Sequence, residues 1–284
     1  MAFDRLVRYE DIEGQVTYGN LLETTEDGLF KVSKLDGNLT EGFTVRTQES
    51  EAIVKSLLCP LDRTPIIPCV GVNYQKHVDE AKLPVPSYPV IFSKPADALT
   101  GPMSEIHIHP DASSMLDYEG ELVVVIGRDA KNVTESSALD YVLGYTAGND
   151  VSARNFQLRE ASGNQFGYAK SFDGFAPIGP AIYSTRLVPN PQELKLITRV
   201  NGHVRQETST GDMIWTVRQI VAHLSRGMTL RAGTVIMTGT PAGVGFFSQS
   251  FLKDGDVVEV ELVGLGKIAN KMIFEQSSGN ESTL

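Results

Sequence analysis

Leu116-Asp117-Tyr118-Glu119-Gly120-Glu121-Leu122-Val123-Val124-Val125-Ile126 reads as a strand entered through a cluster of acids. From Leu122 to Ile126 the run is wholly apolar, rich in valine and stopped by Gly127, the pattern of a strand. Residues two apart on a strand share a face, so Glu119 and Glu121 present two carboxylates side by side. Two like charges that close are unfavourable unless a proton or a cation sits between them. An all-oxygen donor set of this kind suits Mg2+, Mn2+ or Ca2+ rather than zinc. The competing reading of Glu-x-Glu is an edge strand with both acids in water.

Downstream, Ala138 to Leu143 reads as a short helix, and Gly144-Tyr145-Thr146-Ala147-Gly148-Asn149-Asp150 as a small-residue strand that ends on a third carboxylate. Ser152, Arg154, Asn155, Gln157, Lys170 and Asp173 follow. Taken singly each is an ordinary surface group; near a cation, arginine and lysine bind a substrate carboxylate or neutralise an enolate. Further on, Thr238-Gly239-Thr240-Pro241-Ala242-Gly243-Val244-Gly245 leaves the buried strand Thr234 to Thr238, and such a turn exposes backbone N–H groups and a hydroxyl to an anion.

Upstream, Ile66 to Gly71 is a short apolar strand, and Asn73 to Ala81 a short helix stopped before Pro84. His77 and Glu80, three apart, share a face of that helix. A histidine oriented by a carboxylate is a general base; the plain alternative is a surface ion pair. Val90-Ile91-Phe92, Leu196 to Val200 and Val257 to Leu262 are further strands, and Val217 to Arg226 is an amphipathic helix with Val217, Ile220, Val221 and Leu224 on one stripe. Short alternating stretches between Phe3 and Lys55 suggest a small β-rich module, and Pro60, Pro65 and Pro68 mark its end. The expected organisation is a small N-terminal module over 1–60 and a catalytic domain over 66–276, in a β-rich α+β fold.

Of the 284 residues 41% are hydrophobic, and the formal net charge is −10. An acidic chain of this kind is not expected to bind nucleic acid, though a bound dication inverts the field inside a single pocket. Cys59 and Cys69 stand in apolar, proline-flanked surroundings and read as buried free thiols. His107, His109, His203 and His223 read as structural. No apolar run approaches the roughly 20 residues that span a bilayer, so no membrane partner is expected. Met1 to Tyr9 carry charges but no apolar core of signal-peptide length, so no leader is expected, and Ser282-Thr283-Leu284 does not read as a peroxisomal address. Cytosol is the expected location, with the mitochondrion left open.

Together these segments resemble the fumarylacetoacetate hydrolase family from about Ile66 to Met272. The landmarks are Gly71-Val72-Asn73-Tyr74 with His77 and Glu80; Phe92-Ser93-Lys94-Pro95; Asp117 to Glu121; Asn149 to Arg154; Gln157; Lys170-Ser171-Phe172-Asp173; Val200-Asn201-Gly202; and Thr238 to Gly245. The resemblance implies a mixed β-roll catalytic domain, a homodimer, and one Mg2+, Mn2+ or Ca2+ on Glu119, Glu121 and Asp150. It implies a small 2-oxo acid as substrate, an enolate stabilised by Lewis-acid polarisation, and Gln157 and Lys170 in contact with the bound acid. It assigns Thr240 and its glycine turn, with Gly239, to a substrate carboxylate, and places Tyr74 and Arg154 near the substrate. His77 and Glu80 match the dyad that activates water in the hydrolases.

Ala81 to Pro86, Tyr88 to Phe92, Phe246-Phe247 and Phe251 to Asp256 resemble the subgroup associated with oxaloacetate tautomerisation. Keto–enol isomerisation of oxaloacetate is therefore the leading expectation. Acylpyruvate hydrolysis and oxaloacetate decarboxylation come next, then a pathway-specific decarboxylase or isomerase. A catalytically silent metal-binding scaffold is the alternative from another class.

Overall fold

The computed structural model of the chain describes residues 2–47 and 51–276, so the Ser282-Thr283-Leu284 tail lies outside the described residues. The strand Gly120–Ile126 is buried along its whole length. It has an antiparallel neighbour on each side, Val142–Asn149 and Val235–Met237. It also has a layer on each face. Leu122, Val124 and Ile126 enter one apolar cluster with Leu196, Val258, Val260 and Leu262. Val123 and Val125 enter a second, with Leu6, Ile67, Cys69 and Ile178. Burial on both sides is what the unbroken valine run encodes.

The large sheet has 12 strands among the described residues. Its main path runs Gly42–Val45, Phe30–Asn38, Val16–Thr24, Arg5–Glu10, Ala176–Ser184, Val142–Asn149, Gly120–Ile126, Val235–Met237, Ile67–Gly71 and Val90–Lys94. The N-terminal strands thus continue the same sheet as the acidic strand, joined where Arg5 and Leu6 pair with Tyr183 and Ile182. A second sheet of five strands, His203–Ser209, Lys195–Val200, Val257–Leu262, Gly266–Phe274 and Ile106–Ile108, packs on the first. Gly120 is where the two sheets approach: a Cβ there would stand 2.0 Å from Thr198 Oγ1. The residue between the two glutamates faces the other sheet and has no room for a side chain.

The β-rich α+β class is therefore what forms, with two local departures. Ala138 to Leu143 is not a helix. A 3-10 segment occupies Glu135–Tyr141, and Val142 already pairs with Ile126 across a register shift, so the strand begins two residues earlier than its small residues suggest. The amphipathic helix is Val217–Leu224, opened by a capping box between Thr216 and Gln219. It stops short of Arg226 because Ser225 turns its hydroxyl to the N–H of Val133. Both cysteines are free; Cys69 is buried and Cys59 half-buried. No helix among the described residues is long and apolar enough to cross a membrane.

Candidate active site

Glu119, Glu121 and Asp150 converge: each offers a carboxylate oxygen within 4.8 Å of the others. The parity of the central strand aims both glutamates to one side, and the strand Val142–Asn149 ends beside them. Asn149 turns its side-chain oxygen to the N–H of Glu119 at 2.9 Å, and the N–H of Asp150 donates to Glu119 O at 2.9 Å, which locks the two chain segments together. Glu121 accepts the N–H of Gly239 at 2.6 Å. Gly239 adopts φ +104°, and a Cβ on it would lie 2.7 Å from Asn73 Cβ, so only glycine brings that N–H to the carboxylate.

Two lysines close the other sides. Lys170 Nζ donates to Asp150 Oδ2 at 2.7 Å and to Ser152 Oγ at 2.8 Å, and pairs with Glu119 Oε2 at 3.0 Å. Lys94 Nζ donates to the carbonyls of Phe175 and Val151 and contacts Asp150 Oδ1 directly. Burial works against the Lys170 ammonium, but Asp150 and Glu119 outweigh it and hold its pKa above the usual value. Burial likewise pushes the Glu119 carboxyl up; Lys170, Arg154 and then His77 overcome it and bring the group to about 2. Glu121 has no such relief. Burial, then Asp150 and Glu119, raise it well above the ordinary carboxylate range.

A buried clamp supports this centre. Asp117, wholly shielded, accepts Arg154 Nε at 2.8 Å, and also the N–H groups of Gly245 and Phe246. Arg154 then reaches Glu119 Oε1 at 2.7 Å and Gln157 Oε1 at 2.8 Å. All its nitrogens are engaged by the protein, so Arg154 positions Glu119 and Gln157. Gln157, accepting at Oε1, keeps its amide N–H groups for a ligand.

His77 and Glu80 form the pair that their spacing predicts, Nδ1 to Oε2 at 3.2 Å on the helix Gln75–Ala81. Glu80 also accepts the N–H of Gly243, at 3.2 Å, so the glycine turn anchors the dyad.

A cavity of about 270 Å³ opens on this assembly, lined by His77, Glu119, Arg154, Gln157, Lys170 and Thr240 and otherwise by apolar side chains. Glu121 and Asp150 lie behind Glu119, out of reach of solvent. Two of the residues assigned to substrate contact stand elsewhere. The Tyr74 ring is fully buried in the core beneath the helix it caps and does not line the cavity. Gly239 does not line it either, and its N–H belongs to Glu121. Thr240 does line it, but its hydroxyl donates to Gly120 O and accepts from Gln206. Sequence reasoning gave no role to Lys94, Asp117, Asn73 or Gln206. Asn73 ties Thr238 O to Trp215, and Gln206 joins Gly120 N to Thr240. Lys94, Asp117 and Asn73 stand inside the landmark motifs, which mark the positions but not the partners.

The donor set fits a hard dication. When all are ionised, Asp117, Glu119, Glu121 and Asp150 bring four carboxylates against the three cations Lys94, Arg154 and Lys170, one negative charge in excess. A dication held by Glu119, Glu121 and Asp150 reverses that balance to one positive, which suits an anionic ligand.

The chain is similar to known proteins in sequence and in fold. Residues 66–273 match the family described as fumarylacetoacetate (FAA) hydrolase C-terminal. A human mitochondrial protein named oxaloacetate tautomerase is 42% identical over 220 residues, 77% of this chain and 69% of that protein. A fumarylacetoacetate hydrolase domain-containing protein 2 homolog of Dictyostelium discoideum is 45% identical over 224 residues, 75% of this chain and 72% of its own. The crystal structure of 2-hydroxyhepta-2,4-diene-1,7-dioate isomerase from Mycobacterium marinum superposes with a TM-score of 0.81 at 35% identity, covering 95% of this chain and 98% of that one.

Proposed function

The chain belongs to the fumarylacetoacetate hydrolase family of enzymes, and on that premise we propose that it interconverts the keto and enol forms of oxaloacetate, with Glu119, Glu121 and Asp150 holding a divalent cation. The observation that carries the reading is that Lys170, bonded to both Asp150 and Glu119, lines the same cavity as His77. A stabiliser of negative charge and a base thus serve one ligand. The relatives named oxaloacetate tautomerase support the choice of substrate.

When bound, Mg2+, Mn2+ or Ca2+ supplies Lewis-acid polarisation of the 2-oxo group, which acidifies the neighbouring carbon. Lys170, its N–H groups directed at Asp150, Ser152 and Glu119, acts through its positive charge on the negative charge that develops on the substrate oxygen. Gln157, its Oε1 held by Arg154, donates from Nε2 and orients the acid. His77 keeps Nδ1 against Glu80, so Nε2 is the atom that takes the proton from C3 and returns it to oxygen. Apolar walls limit water, as an isomerisation without cleavage requires. Assembly as a homodimer belongs to the same proposal.

The preassembled dyad favours one second reading, hydrolysis of an acylpyruvate, in which His77 Nε2 takes a proton from water instead of carbon. Proton NMR time courses on enol oxaloacetate and on acetylpyruvate, each with Mg2+ and with EDTA, separate the two. Metal-dependent enol-to-keto conversion without pyruvate is the expected result. Pyruvate with acetate from acetylpyruvate makes the protein a hydrolase, and no metal-dependent change in either sample refutes both readings.

A further inference from the structure

Thr240 lines the cavity, and the peptide between the two glutamates fixes the direction of its hydroxyl. Hydrogen bonding alternates from side to side along an antiparallel strand. The N–H of Asp150 donates to Glu119 O, so the next residue, Gly120, turns its own N–H and C=O to the opposite side. There the N–H donates to Gln206 Oε1 at 2.9 Å, and the buried carbonyl accepts Thr240 Oγ1 at 3.0 Å. Gln206 cannot be turned round. Its Oε1 faces the Gly120 N–H and its Nε2 faces Pro241 O at 2.9 Å, both backbone groups of fixed polarity. Nε2 therefore also donates to Thr240 Oγ1, at 2.8 Å. A hydroxyl has one proton and two lone pairs. With the proton on Gly120 O and one lone pair on Gln206, Thr240 has a single lone pair left. Turning the proton into the cavity would strand a buried carbonyl.

We propose that Thr240 faces the ligand as an acceptor only, and that it recognises the O–H of an enol, favouring the enol form of the bound oxo acid over the keto form. This role rests on the keto–enol reading above and names the tautomer that the site prefers. The keto form carries no proton on the C2 oxygen; the enol carries one, and the Thr240 lone pair is a partner for it. A carboxylate offers only lone pairs, so it gains nothing from this hydroxyl. The carboxylate contact that the family resemblance implies for Thr240 is therefore not one that Oγ1 donates. Charge for the carboxylates comes from Lys170, and N–H groups come from Gln157. Gln206 and Gly120 do not line the cavity and act as positioning residues, through the direction they impose on Thr240.

Calorimetric titration of the full-length, Mg2+-loaded protein tests this with three small acids. Glycolate carries a hydroxyl proton beside its carboxylate, methoxyacetate keeps that oxygen without the proton, and oxalate has no proton to give. Thr240→Val and Thr240→Ala, either sufficient if the other fails to fold, should weaken glycolate about three- to tenfold, the worth of one neutral hydrogen bond. Methoxyacetate and oxalate should stay within about twofold of their wild-type affinities. Thr240→Ser keeps the hydroxyl and should restore glycolate. A threonine that only holds the turn in place would lower all three acids alike, and one that donates to the ligand would lower oxalate most. Either pattern, or an unchanged glycolate affinity, refutes the acceptor role and leaves the keto–enol reading standing. If oxalate binds equally in Mg2+ and EDTA, the reading of the acidic centre fails and takes the acceptor role with it.

Discussion

Lys94 and Asp150 are in direct ionic contact, Nζ on Oδ1, with both side chains shut away from water. Asp150 therefore has a cation on each of its oxygens, Lys94 on one and Lys170 on the other. Removing one partner of a buried pair leaves an uncompensated charge, at a cost of about 3–5 kcal/mol. Lys94→Met is expected to lose that much stability to urea in EDTA, and to recover a large part of it in saturating Mg2+, because the dication replaces the missing positive charge. A loss of equal size in both buffers would assign Lys94 to packing alone.

Glu121 is the carboxyl that the centre strains most, through burial first and then Asp150 and Glu119. A pKa raised on folding means that the folded chain binds the proton more tightly than the unfolded one. The associated stability is fully present below the ordinary carboxylate pKa and is lost as pH rises through the raised folded value. Thermal melts in EDTA should therefore fall in midpoint over that rise. Mg2+ should reverse the trend, since it competes with the proton. Glu121→Gln should show a flatter slope in EDTA and little response to Mg2+.

Gly239→Ala tests the link between backbone and donor set. The residue would have to hold φ +104° with its Cβ 2.9 Å from Val70 O. Strain of this kind costs about 1–3 kcal/mol, and any backbone shift that relieves it moves the N–H away from Glu121. Reduced stability together with weaker Mg2+ binding by titration is expected. Weaker stability with unchanged Mg2+ affinity would show that Glu121 does not need this donor.

His77→Ala should lower catalysed tautomerisation about 100- to 10,000-fold, the ordinary contribution of a positioned base, while leaving Mg2+-dependent oxalate binding in place. Glu80→Gln should act more mildly, because it removes the orienting charge and keeps the ring. Turnover that survives in His77→Ala would remove the histidine from the proton transfer.

How much of this was legible in sequence follows from the range of each interaction. The acidic strand was, because a valine run buried on both faces and an alternating Glu-Gly-Glu are local patterns. The His77–Glu80 pair was, because a helix fixes its spacing. Asp117, Lys94 and Gln206 were not: Asp117 meets Phe246 N 129 residues on, and Lys94 meets Phe175 O 81 residues on. Nothing near them in the chain announces the partner. Tyr74 and Gly239 show the reverse. They flank functional residues, but the cap position at the start of the helix points the Tyr74 ring into the core, and the turn commits the Gly239 N–H to Glu121.

The pairing of Arg5 with Tyr183 sets an order of events during synthesis. The first strand leaves the ribosome early, yet its partner edge exists only once residues 176–184 have followed. At about 5–20 residues per second, that interval is roughly 10–35 s. Through it the opening strands present an unpaired edge, a site for chaperones or for mispairing with a neighbouring nascent chain. The enzyme's yield in a cell is therefore expected to depend on how that wait is managed, quite apart from the chemistry at the centre of the sheet.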